Sequence, residues 1–103
     1  MSVLIEFSMF PTDKGESVSE YVSRVVEMID RSGYTYKLTA MGTIIETPSL
    51  SEALQIVQKS YEILEPNSRR VFASVKLDIR KESENRLEEK IRSVEKIIGK
   101  LRF

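Results

Sequence analysis

The chain has 103 residues, with 16 basic and 16 acidic side chains and neither cysteine nor histidine. This length predicts one domain over residues 1–103, small enough that oligomerisation adds useful stability. The balanced charge argues against a nucleic-acid partner, and the missing residue types exclude disulfides, thiol chemistry, an imidazole base and a His-ligated metal.

The first strand pattern runs over about 2–10. Val3, Ile5, Phe7 and Met9 fall on one face, and Leu4, Glu6, Ser8 and Phe10 on the other. Pro11–Gly15 reads as a loop. A helix is predicted over 17–32, capped by Ser17 or Ser19, with Val18, Tyr21, Val22, Val25 and Ile29 at helical spacing and Gly33 as its stop. Strands are predicted at 34–40 and 43–48, with a turn at Met41-Gly42. A second helix is predicted over 49–65, where Ser49 and Glu52 form a capping box. Its expected apolar stripe is Leu50, Ala53, Leu54, Val57, Tyr61 and Leu64. The longest strand pattern is 70–80, with Val71, Ala73, Val75, Leu77 and Ile79 alternating against Phe72, Ser74, Lys76, Asp78 and Arg80. A third helix is predicted over 86–101, where Leu87, Ile91, Val94, Ile98 and Leu101 have heptad-like spacing.

The order β-α-β-β-α-β plus a C-terminal helix is the ferredoxin-like, split-βαβ order, an α+β fold with helices on one face of a four-stranded antiparallel sheet. Strand one is expected between strands three and four. The odd positions of strands one and four should lie under the helices, and their even positions should form an open face. That face reads either as a solvated surface with ion pairs worth ~0–1 kcal/mol each or as a surface that packs on another subunit. The late helical stripe is open to the same two readings. Tyr21 and Tyr61 are expected to be packing residues.

No apolar run approaches the ~20 residues of a membrane span. The start MSVLIEFSMF lacks a basic region and carries Glu6, so no signal peptide is expected. A cytoplasmic location follows, with neither membrane nor nucleic acid as partner. No metal site, cofactor or catalytic residue is predicted. A Glu6, Lys76 and Asp78 group would have to do any acid–base work, so the chain is not expected to be an enzyme.

FSMFPT, SVSEYVSRVVEMIDRSG, YKLTAMGTIIETP, RRVFASVKLDIR and LEEKIRSVEKIIGKL together resemble the YkoF-like small thiamine-binding proteins, formerly a conserved group of unknown function. The resemblance covers nearly the whole chain. It implies a ferredoxin-like fold, dimers assembled into a homotetramer, and non-catalytic binding of thiamine or its hydroxymethylpyrimidine part. It also implies that the hairpin around TAMGTIIET borders the ligand. Thiamine needs hydrogen-bond acceptors, hydroxyls and a flat apolar wall. Ser8 and Thr43 are therefore expected to supply hydroxyls, Phe10 and Met41 to cover a ring, and Glu46 to accept from the exocyclic amine. The expected role is a carrier or sensor. The alternative is an oligomeric regulatory or assembly module that responds to another small effector.

Overall fold

The computed structural model describes residues 1–16, 18–82 and 84–102. The strands are β1 (Ser2–Pro11), β2 (Thr35–Thr39), β3 (Gly42–Thr47) and β4 (Val71–Arg80), and the helices are α1 (Ser19–Ser32), α2 (Leu50–Leu64) and α3 (Arg86–Ile98). A short 3-10 turn, Glu65–Asn67, follows α2. The strands join in the order β2-β3-β1-β4, every pair antiparallel. This is the expected ferredoxin-like arrangement, with β1 between β3 and β4. Helix α3 ends earlier than expected, at Gly99, whose N–H bonds to the Glu95 carbonyl at 2.8 Å.

The core forms where β1 meets the two crossover helices. Val3, Ile5, Phe7 and Met9 are buried with Ile45, with Val25 and Ile29 of α1, and with Ala53, Ile56 and Leu64 of α2. Strict alternation in β1 sends every odd residue under the helices. Gly33 ends α1 with φ 84°, a left-handed backbone that glycine adopts without a Cβ clash. Ser49 caps α2 as expected: its Oγ accepts the Glu52 N–H at 3.2 Å and donates to the Glu52 carboxylate at 2.7 Å. The N-cap position of α1 is Val18, with no side-chain cap bond. Ser19 is its first helical residue, and Ser17 lies outside the described residues.

Two expectations about buried faces are corrected. Helix α2 is rotated from its predicted stripe: Ala53, Ile56, Ser60 and Leu64 face the core, and Leu50, Leu54 and Tyr61 are exposed. Ser60 is tolerated inside because its hydroxyl donates to the Ile56 carbonyl at 2.6 Å, leaving no unpaired polar group. Strand β4 alternates like β1, yet Val75, Leu77 and Ile79 are 41%, 40% and 46% exposed. It is an edge strand, and the helices sit mainly over β1 and β3. The expected open face carries a Phe10–Phe72 ring contact, 5.9 Å between centroids. An exposed Lys76–Glu6 pair at 3.5 Å lies there too. Helix α3 packs on β1 and β3. Leu87, Ile91 and Val94 are half-buried, whereas Ile98 is exposed.

Candidate functional site

The site begins with a mismatch in strand length. The β1–β3 ladder ends at Phe7↔Thr43, while β1 continues to Pro11 against β4. Ser8 and Phe10 therefore lie beyond the reach of β3. The β2–β3 hairpin turns just there, through Ala40-Met41. Thr39 fixes that turn. Its Oγ1 accepts the Met41 and Gly42 N–H groups at 3.2 and 3.1 Å and donates to the Gly42 carbonyl at 2.7 Å. Gly42 has φ 156°, and a Cβ built on it would stand 3.0 Å from the Phe7 carbonyl oxygen. Only a residue without a side chain lets the hairpin lie so close to β1.

Valines of α1 cross above this notch and close a cavity of about 380 Å³. Its walls include Phe7, Met9, Val22, Val25, Val26 and Leu38, together with the hairpin from Thr39 to Thr43. The volume lies in the range of small-molecule sites, and the lining is apolar with a few hydroxyls, as such sites usually are. No charged side chain is among the described lining residues.

Four of the five expected site residues meet here: Ser8, Phe10, Met41 and Thr43. Thr43 is 7% exposed, and among the described residues its hydroxyl makes no hydrogen bond. That oxygen keeps some access, since it is not among the fully buried unpartnered atoms, and the cavity is the space that Thr43 lines. Ser8 is half-buried. Met41 sits at the hairpin tip, 89% exposed. The cavity lies on the helix-covered side and end of the sheet, rather than against its open face.

Glu46 does not join them. It lies three residues along β3 from Thr43, about 10 Å at strand rise, and on the opposite face. Its carboxylate accepts from the Ser2 hydroxyl at 2.5 Å and from the backbone N–H groups of Arg86 and Leu87 at 2.9 and 3.2 Å. Burial pushes its pKa up. The Ser2 hydroxyl, the two N–H groups and the Arg86 charge outweigh that, holding it below the usual carboxylate range. Arg86 completes the cluster, donating to the carbonyls of Ser2 and Asp78 at 2.8 and 2.6 Å and pairing with the Asp78 carboxylate at 3.0 Å. Every bond of this cluster is internal, so it holds α3 on the sheet. Thr39 and Leu38 also line the candidate cavity, and strand periodicity did not single them out. The signal for Thr39 was a threonine three positions before a turn glycine.

A sequence profile of the family described as thiamine-binding protein matches residues 5–95. The chain belongs to that family. It is similar to UPF0045 protein MJ1052 of Methanocaldococcus jannaschii, 34% identical over 92 residues that cover 89% of this chain and 91% of the relative. It is 33% identical over 98 residues to UPF0045 protein Mb1933 of Mycobacterium bovis, covering 95% and 96% of the two chains. Among solved structures, that of MJ1052 superposes with a TM-score of 0.80 over 90% of this chain and 95% of that one. TM0486 of Thermotoga maritima, at 20% identity, shares the fold with a TM-score of 0.78, covering 91% and 99%.

Proposed function

We propose that the protein binds thiamine or its hydroxymethylpyrimidine part in the notch between α1 and the β2–β3 hairpin, as a non-catalytic cytoplasmic carrier or sensor. The observation that carries this reading is Thr43, a residue more than nine-tenths buried whose hydroxyl has no partner among the described residues and lies on the wall of a largely apolar cavity. A buried hydroxyl left without a partner is costly unless a ligand or water completes it. A pyrimidine ring supplies a nitrogen acceptor for the Thr43 hydroxyl, and Met41 at the hairpin tip is placed to fold over its flat face, while Ser8 and Phe10, whose side chains alternate to the other face of β1, border the notch only at its end. The absence of a charged wall suits a neutral ring. Calorimetric titration with thiamine and with hydroxymethylpyrimidine tests this, using wild type and Thr43→Val. Losing one neutral hydrogen bond should weaken both ligands by about three- to tenfold, the scale of ~0.5–1.5 kcal/mol. Equal affinity in the two proteins, or no binding by wild type, refutes it.

The same reading takes the protein to be a homo-oligomer, a tetramer built as a dimer of dimers. Support comes from large apolar side chains left exposed in one chain. Val75, Leu77 and Ile79 on edge strand β4 and Leu50, Leu54 and Tyr61 on α2 are all exposed. A ten-residue edge strand with exposed apolar side chains needs a cover to avoid indiscriminate pairing. This surface also favours the second reading, a regulatory or assembly module for another small effector. A thermal-shift panel of thiamine, its phosphates and common amino acids separates the two, since a ligand of the folded state raises its stability.

A further inference from the structure

We infer that the notch is one half of a longer ligand site, whose other half, the groove between α1 and β2, takes a cationic arm of the ligand. This rests on the reading above that the notch holds a flat heteroaromatic ring. Val18, Val22, Val26 and Leu38 line both spaces, so the cavity and the groove are neighbours along α1 and β2. The groove adds about 640 Å³.

Its course follows from register. Leu38 pairs with Thr43, and Tyr36 with Ile45, so both β2 side chains lie on the helix-covered side. From Leu38 to Tyr36 is two residues, about 7 Å along the strand. On α1, Val22, Val26 and Asp30 succeed one another at four-residue steps, about 6 Å each. An arm leaving a ring at Thr43 therefore reaches the level of Asp30 within about 10 Å.

The charges along this path are one-sided. No charged residue is among the described lining of the notch, and the two that line the groove, Glu27 and Asp30, are both acidic. Tyr36 donates its hydroxyl to Asp30 at 2.7 Å, which fixes that carboxylate against β2. Glu27 is already paired with the Arg31 guanidinium at 2.5 Å, whereas the partner of Asp30 is a neutral hydroxyl. Asp30 is thus the better placed of the two to face a cation. A neutral ring in the uncharged notch and a positive group in the acidic groove match this distribution, and a negative group there is repelled.

The test uses the full chain and three probes: thiamine, whose thiazolium is a cationic arm; hydroxymethylpyrimidine, which has no arm; and thiamine diphosphate, which adds negative charge. Asp30→Asn keeps an acceptor for Tyr36 but removes the charge. It should weaken thiamine about fivefold, the scale of an exposed ion pair, and leave hydroxymethylpyrimidine unchanged. Asp30→Lys should weaken thiamine further and narrow the gap between thiamine and its diphosphate. Unchanged thiamine affinity in both variants overturns the inference, and so does an equal loss for thiamine and the free pyrimidine. Thr43→Val separates this from the parent reading. If Thr43→Val weakens both ligands while the Asp30 variants affect neither, the notch stands and the groove falls. If Thr43→Val affects neither ligand, the notch itself is wrong.

Discussion

The Glu46 carboxylate in β3 accepts the backbone N–H of Arg86 at 2.9 Å, across 40 positions of sequence. Together with the bond from Leu87, it does for α3 what a capping side chain normally does from within the helix. Asn85, the residue at the N-cap position, makes no side-chain cap bond and has φ 54°. Glu46→Ala should therefore cost about 1–2 kcal/mol, the upper range for loss of a cap, and lower the unfolding midpoint by roughly 5–10 °C. Amide exchange should rise across the first turn of α3. Thiamine affinity should not move, because the notch lies at the other end of β3. Denaturant unfolding and titration on the same variant check both halves.

The same carboxylate gives the stability a pH dependence of known sign. Its folded pKa is held below the ordinary value of 4.5 by Ser2, the two N–H groups and Arg86, against the upward push of burial. A depressed carboxylate contributes stability above its unfolded pKa and loses it as pH falls through the folded one. Stability should thus fall as pH drops below about 4.5. Asp13, lowered chiefly by the Arg69 N–H, adds a loss of the same sign. Glu46→Gln removes the first contribution and keeps the second. The difference between wild type and Glu46→Gln in denaturant midpoint should shrink on acidification. A gap that stays constant from neutral pH to well below 4 rules out the Glu46 contribution.

Most of the architecture was legible because β1 follows a strict period of two and α1 ends at a glycine. What was not legible had long-range causes. Alternation puts Glu46 on the face opposite Thr43, but no local pattern says that Arg86 will return to meet it. The β4 pattern matches that of β1, yet burial depends on which strand lies at the edge. The buried face of α2 includes Ser60, whose hydroxyl is satisfied within the helix and which an apolar count scores against that face. Four of the five candidate residues come together because the end of β1 runs beside the β2–β3 turn. The groove was missed because it lies between elements and belongs to no single motif.

Gly42→Ala tests how closely the hairpin must lie against β1. The added Cβ meets the Phe7 carbonyl oxygen at 3.0 Å, a backbone atom that cannot swing aside, in a backbone conformation unfavourable for alanine. The cost should be about 1–2 kcal/mol, above the usual Gly→Ala change, because steric contact adds to the conformational penalty. The hairpin should shift outward, and affinity for thiamine should fall with it. A variant as stable as wild type refutes the close-approach argument.

Leu77→Glu tests the assembly. In one chain Leu77 is 40% exposed on the edge strand, so a lone subunit should tolerate the charge within about 0.5 kcal/mol. At an interface built on β4, a buried unpaired carboxylate would be strongly unfavourable. Light scattering should show an oligomer for wild type and a smaller species for Leu77→Glu, with the same far-UV spectrum. Equal masses would move the interface elsewhere, and a monomeric wild type would remove it.

Thr43→Val gives the prediction with opposed effects. Valine has nearly the volume of threonine and is also β-branched, so β3 keeps its packing and backbone. The substitution removes the hydroxyl of a residue more than nine-tenths buried, an oxygen that finds no partner among the described residues. Taking away an unsatisfied polar group should stabilise the ligand-free protein, by about 0.5–1 kcal/mol, since the oxygen keeps some solvent access. A threonine serving only the fold would have a bond to lose, and its replacement would destabilise. One whose partner is a ligand shows the reverse: the free protein melts higher and the ligand-induced rise in melting temperature shrinks. Thermal unfolding with and without thiamine measures both changes in a single series. A lower midpoint for free Thr43→Val, or an undiminished shift with thiamine, removes Thr43 from the binding site.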